Sequence, residues 1–122
     1  MISGMYKNNI IVKRSNFVRP RLVNAKYGKG GCIYLYDLTD AYIEDCNFRD
    51  GFSLGTNVGV WAQRFSRVEI VRATFSNFTS LSYSSAFHCT LFADCTIVDS
   101  VFKDNQAGTF ACAQGYQSRM TL

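Results

Sequence analysis

His88, Asp94, Asp99 and Asp104, with Arg72 upstream, are the side chains of this sequence best suited to acid–base chemistry. Two carboxylates flanking one bond act as general acid and base in glycoside hydrolysis. Here the spacing argues against it. Asp94 and Asp99 fall at opposite ends of one predicted strand, about 16 Å apart at strand rise. His88, the only histidine, stands between Phe87 and Cys89 on the expected outer face. No catalytic residue is therefore expected. The cysteines Cys32, Cys46, Cys89, Cys95 and Cys112 form no Cys-x-x-Cys and no Cys/His pair at zinc spacing, so neither a metal nor a cofactor is expected. Cys89 and Cys112 fall at equivalent places in successive repeats and invite a disulfide. Inert core thiols are the favoured alternative, since cysteine is among the most buried residue types. Asn77-Phe78-Thr79 is a glycosylation sequon, relevant only to a protein secreted by a eukaryote.

Composition bounds what must position these residues. The 122 residues make one domain with a real core, and 48% hydrophobic with 15% aromatic content excludes disorder. Ten Phe and seven Tyr against a single Pro suit strands. No apolar run is long enough to span a membrane, and the N-terminus shows no signal-peptide core. The net charge of +4 is uneven: Lys7, Lys13, Arg14, Arg19, Arg21, Lys26 and Lys29 precede every acid. A basic module over 7–29 that binds anionic polymers ranks low, because no stacking aromatics accompany the charges, and no nucleic acid is expected.

One pattern recurs four times, each time ending on a phenylalanine: Phe17, Phe48, Phe75 and Phe102. The intervals are 31, 27 and 27 residues, a period that marks a repeat architecture. Seven before each phenylalanine stand Ile10, Ala41, Val68 and Cys95; five before, Val12, Ile43, Ile70 and Ile97; two before, Ser15, Cys46, Ala73 and Ser100. Offsets of 0, 2, 5 and 7 read as a strand, a bend and a second strand, and they do not fit a helical face. A third strand follows near Gly31–Leu35, Gly59–Gln63, Ala86–Thr90 and Phe110–Ala113. The best register points Cys32, Tyr34, Val60, Ala62, Phe87, Cys89, Phe110 and Cys112 inward.

Three short strands per coil without helices describe an all-β, right-handed parallel β-helix of about four coils, spanning about 8–36, 39–65, 66–92 and 93–116. The four phenylalanines form an internal stack, with small neighbours making room for it. Outside, Arg14, Asp45, Arg72 and Asp99 form one charge-alternating column at the bend; Asn9, Asp40, Arg67 and Asp94 form another. Slipping the ladder by one residue breaks these matches, so the columns fix register. The outer face of the third strand lines up Ile33, Leu35, Trp61 and His88, with Tyr36 and Phe65 close by, as an exposed apolar stripe fit for a carbohydrate or protein ligand.

Gly30-Gly31-Cys32-Ile33-Tyr34 resembles the Gly-Gly-Ala-Ile element of right-handed β-helix repeats, and Phe102-Lys103-Asp104-Asn105 resembles the accompanying Phe-x-x-Asn element. Over roughly residues 8–115 the chain is similar to the repeats of polymorphic outer-membrane proteins and the broader pectin-lyase-like superfamily. That resemblance implies a segment of a longer surface or secreted solenoid, adhesin-like, whose neighbouring coils are its partners and whose side wall binds. The alternative it implies is part of a polysaccharide-active lyase or glycoside hydrolase with catalytic coils elsewhere. The expectation is a non-enzymatic structural and binding segment with no membrane span of its own.

Overall fold

The computed structural model describes residues 2–5, 7–22, 31–55, 59–81, 86–109 and 112–122. Lys26, Lys29, Gly30 and Phe110, all used in the sequence reading, lie outside them. The first turn runs through β1 (Ile2–Met5), β2 (Asn9–Lys13), β3 (Asn16–Val18) and β4 (Arg21–Leu22). The second comprises β5 (Ile33–Tyr36), β6 (Asp40–Glu44), β7 (Asn47–Arg49) and β8 (Phe52–Ser53). The third comprises β9 (Val60–Gln63), β10 (Arg67–Val71), β11 (Thr74–Ser76) and β12 (Thr79–Ser80). The fourth has β13 (Phe87–Thr90), β14 (Asp94–Val98) and β15 (Val101–Lys103), then Gln106, which bridges to Thr79. A fifth begins with β16 (Ala113–Tyr116) and β17 (Arg119–Thr121).

Like strands stack in parallel. The sheet orders are β1-β5-β9-β13-β16, β2-β6-β10-β14-β17, β3-β7-β11-β15 and β4-β8-β12. The protein is thus an all-β parallel solenoid of about four turns. The first three turns carry four strands where three were expected; the extra one, reduced to the Gln106 bridge in the fourth turn, is only two residues long and lies beyond the phenylalanine, too short to show alternation. The solenoid also takes in β1, ahead of the first expected coil, and β17, past the last.

Three corners per turn let the chain close, and non-glycine residues at positive φ make them. At the corner after β2, β6, β10 and β14 these are Arg14, Asp45, Arg72 and Asp99, at 47°, 52°, 50° and 48°. After β3, β7, β11 and β15 they are Arg19, Asp50, Asn77 and Asp104, at 54°, 59°, 55° and 54°. Asp37-Leu38, Arg64-Phe65 and Leu91-Phe92 turn the corner ahead of the second sheet, both residues of each pair at positive φ. Left-handed backbone costs an L-residue about 1–2 kcal/mol. What holds it is the ladder continuing around the bend. Arg14, Asp45 and Arg72 donate their N–H groups to the carbonyls of Glu44, Val71 and Val98 in the next turn, at 3.0, 3.1 and 3.0 Å.

Inside, the expected phenylalanine stack is present. Successive ring centroids lie 4.7, 4.6 and 4.8 Å apart and the planes differ by 4°, 2° and 5°. Phe48 and Phe75 are fully buried beside Cys46 and Ala73. Burying such a ring contributes roughly 1.5–3 kcal/mol. The Phe-x-x-Asn element also acquires a physical meaning. Asn105 accepts from the Phe78 N–H at 3.0 Å and donates to the Phe75 carbonyl at 3.0 Å, tying its turn to the one before.

The first sheet corrects the sequence reading. Ile33 pairs with Val60, which in turn pairs with Phe87, and Leu35 pairs with Ala62, so Ile33 and Leu35 point inward and are fully buried. Tyr34 faces outward. Cys32 is buried, but in the turn before the strand. Ile33 follows Phe17 by four more positions than Val60 follows Phe48, so no fixed offset from the phenylalanine sets the register of this strand. The outcome is physically sensible: branched aliphatics have nothing to gain outside, whereas tyrosine keeps its hydroxyl hydrogen-bonded there. In the last turn Ala113 takes the Phe87 register, and Cys112 is exposed rather than inward.

Candidate functional site

The expected stripe is a closed stack. Tyr34, Trp61 and His88 share one register across β5, β9 and β13 on the outer face. Trp61 meets Tyr34 edge-on, with centroids 5.8 Å apart at 75°, and lies flat on His88 at 5.1 Å and 18°. Only 9% of Trp61 and 8% of His88 remain exposed. Trp61 Nε1 donates to Thr90 Oγ1 at 3.3 Å, and Gln63 Nε2 donates to the Tyr34 hydroxyl. The Arg64 guanidinium sits 4.7 Å from the centroid of Tyr36. Neither Trp61 nor His88 is the exposed contact that the stripe required, and Ile33 and Leu35 are core.

His88 Nδ1 is buried without a hydrogen-bond partner. Burial pushes its pKa down to about 4. The ring is therefore neutral near pH 7 and far from the value that suits a general acid or base there. The other titratable candidates are not gathered around it. Asp94 opens β14, Asp99 stands at the next corner and Asp104 at the one after.

Each charge column contains ion pairs at some of its steps. Arg67 holds Asp40 through Nε at 2.9 Å and Nη2 at 2.5 Å. Arg72 reaches Asp45 at 2.7 Å and Glu44 at 2.6 Å, and Lys13 meets Glu44 at 2.9 Å. Hydrogen bonds from Lys13 and Arg72 pull Glu44 to a pKa of about 2. Arg67 lowers Asp40, and Arg119 lowers Asp94. Arg119 is a column member that the sequence reading missed: it pairs with Asp94 in register and binds it through Nε at 3.0 Å and through Nη2. Continuing the alternation past Asp94 would have found it. Within the other column, Arg14 and Asp99 make no ion pair among the described residues.

One cysteine pair also differs from expectation. Cys89 bonds to Cys95, not Cys112. Both point inward from adjacent strands across one corner, six residues apart, so their sulfurs meet inside the turn. Cys32 and Cys46 are buried free thiols. Among the described residues no group of three or more His, Cys, Asp or Glu is placed to hold a metal ion.

Two outer features remain. Ile11, Tyr42, Glu69 and Thr96, with the Asp40–Arg67–Asp94 column beside them, line an open groove of about 480 Å³ on the second sheet. At the corner ahead of that sheet, Leu38, Phe65 and Phe92 project one above another, 49%, 59% and 61% exposed. The two phenyl rings stack at 5.4 Å. Their spacing of one full repeat was readable in the sequence, but only by following outward positions rather than core ones. No family model, curated protein or solved structure matches the chain.

Proposed function

We propose that this chain is a non-enzymatic scaffold segment of a surface-exposed or secreted β-helix protein. In this reading it is adhesin-like, of the kind found in polymorphic outer-membrane proteins and the pectin-lyase-like superfamily, and it presents a rigid side wall to a carbohydrate or protein partner. The Leu38–Phe65–Phe92 ridge carries the reading. Large apolar side chains at exposed, left-handed corners work against both solubility and backbone preference, which asparagine or glycine would satisfy better. Their recurrence on successive turns favours a retained contact surface over incidental exposure. The Cys89–Cys95 disulfide supports an oxidising compartment, as a secreted or surface protein requires.

The test is binding of the purified chain to glycan and extracellular-protein arrays, beside a Phe65→Asn/Phe92→Asn variant. The parent binds and the variant does not, although the variant unfolds at the same or a higher temperature. Equal binding by both removes the ridge as the contact. A variant carrying Trp61→Phe serves as the comparison, since the stack it alters is buried.

A further inference from the structure

The apolar ridge and a charge column run side by side along the wall. In each turn the column residue stands two positions after the ridge residue: Leu38 and Asp40, Phe65 and Arg67, Phe92 and Asp94. Gln117 and Arg119 carry both rows into the fifth turn; Gln117 is exposed at a left-handed corner, and its carbonyl accepts the Phe92 N–H. The column reads minus, plus, minus, plus, in register across four neighbouring strands about 4.8 Å apart. Arg67 and Arg119 stay exposed and bind their own carboxylates through Nε and Nη2, which leaves Nη1 of each for a further acceptor. A uniformly charged polymer would meet as many like charges as opposite ones on this wall. The matching surface is a second row that alternates at the same spacing, beside a second apolar ridge, and this protein displays one. Turned end for end, minus-plus-minus-plus becomes plus-minus-plus-minus.

We propose that the ridge and its column pair with a second copy of this chain, the two solenoids antiparallel about a two-fold axis that crosses the wall between the third and fourth turns. The inference rests on the ridge being a contact surface, as in the proposed function, and names its partner. Phe65 of one copy faces Phe92 of the other, so the two stacked pairs become one cluster of rings. Arg67 faces Asp94 and Asp40 faces Arg119, each contact made twice by symmetry. Further along the strands Glu69 falls opposite Thr96 and Val71 opposite Val98, so no like charges meet there. An axis through the third turn would set Arg67 on Arg67 and Glu69 on Glu69; one through the fourth would set Asp94 on Asp94. Opposition of like charges thus rejects the adjacent registers. The contact is isologous and closes at two copies. Antiparallel walls are also what two chains anchored on facing surfaces would bring together.

The test is charge reversal read by sedimentation velocity on the purified chain. The parent forms a dimer, and nothing larger, that dissociates on dilution. Arg67→Asp/Arg119→Asp makes the column wholly acidic and Asp40→Arg/Asp94→Arg makes it wholly basic; each pairs with itself at least about tenfold more weakly than the parent does. Mixed in equal parts they pair with each other, because every facing charge is then opposite. Phe65→Asn/Phe92→Asn stays monomeric where the parent pairs. Circular dichroism establishes that the reversed variants are folded; if either is not, Arg67→Gln/Arg119→Gln and Asp40→Asn/Asp94→Asn take their place and weaken pairing without the mixing rescue. A parent that stays monomeric at millimolar concentration overturns the proposal. So do growth beyond the dimer, variants that pair like the parent, or a reversed pair that gains nothing on mixing. The arrays keep the two readings apart: ridge-dependent binding there by a monomeric parent sustains the proposed function without this partner, whereas a ridge-dependent dimer with silent arrays sustains this partner alone.

Discussion

His88 makes the stability of this solenoid depend on pH in a window where few other groups titrate. In the unfolded chain the imidazole titrates near its ordinary 6.5, whereas in the folded chain burial holds it to about 4. A histidine depressed in this way contributes stability that is fully present above pH 6.5. That stability is lost as pH falls towards 4, because the unfolded state takes up a proton that the folded state refuses. At about pH 4.5 the unfolded ring is nearly all charged and the folded ring mostly not, and the difference amounts to about 2–3 kcal/mol. The carboxylates act lower. Asp40, Asp94 and Glu44 are depressed by their ion pairs, so their contributions are present above ordinary carboxylate values and fade beneath them, for Glu44 down to about 2. Trp61 lies on the His88 ring, and as the only tryptophan it reports unfolding by fluorescence. Urea unfolding of the parent between about pH 7.5 and 4.5 is expected to lose that amount, while His88→Phe, which keeps a ring on Trp61, loses little over the same range. Parallel curves for the two proteins would show that His88 is not the group responsible.

Other perturbations follow from the same contacts. Phe75→Ala, at the centre of the stack, is expected to cost about 3–5 kcal/mol in denaturant unfolding, more than Phe102→Ala at its half-exposed end; the reverse order would deny that the stack is continuous. Arg72→Asp places an acid among Asp45, Glu44 and Asp99, so it lowers the thermal midpoint further than Arg21→Asp, an exposed arginine outside the charge columns. Equal shifts would mean that the column contributes nothing. Asn105→Leu strands the Phe78 N–H and removes a side-chain bond to the Phe75 carbonyl, for about 1–3 kcal/mol in the same denaturation assay. An unchanged midpoint would show that water replaces both bonds.

The coil was legible because its inner positions obey one rule in every turn. Phe17, Phe48, Phe75 and Phe102 occupy the same site, and a site that admits only phenylalanine announces itself. The charge columns were legible for a related reason: stacking at a fixed spacing turns a sequence interval into a neighbour. The first sheet was harder to read. Its offset from the phenylalanine differs from turn to turn, so Tyr34 and Ile33 exchanged faces in the reading, and the last strand runs Ala113–Tyr116 where Phe110–Ala113 was expected. The outer surface was hardest of all. Whether Trp61 is exposed depends on His88 and Tyr34 closing over it, which are contacts between turns that no single strand reveals. The Cys89–Cys95 bond spans neighbouring strands within one turn, whereas the period draws attention to equivalent places on successive turns. Leu38, Phe65 and Phe92 kept the period faithfully, but exposed apolar residues at left-handed corners are not what a search for buried positions finds.

The backbone of this solenoid and its charges do not share a period. Hydrogen bonding looks the same after every coil, but the ion-pair columns look the same only after every second one. Excising the single coil that carries Asp45 would leave the ladder and the phenylalanine stack continuous, yet it would set Arg14 against Arg72. Excising two would restore opposition, with Arg14 against Asp99. The structure therefore has a parity. Opposition of charge in this column survives only a change by an even number of coils, although the unit of folding geometry is the single coil.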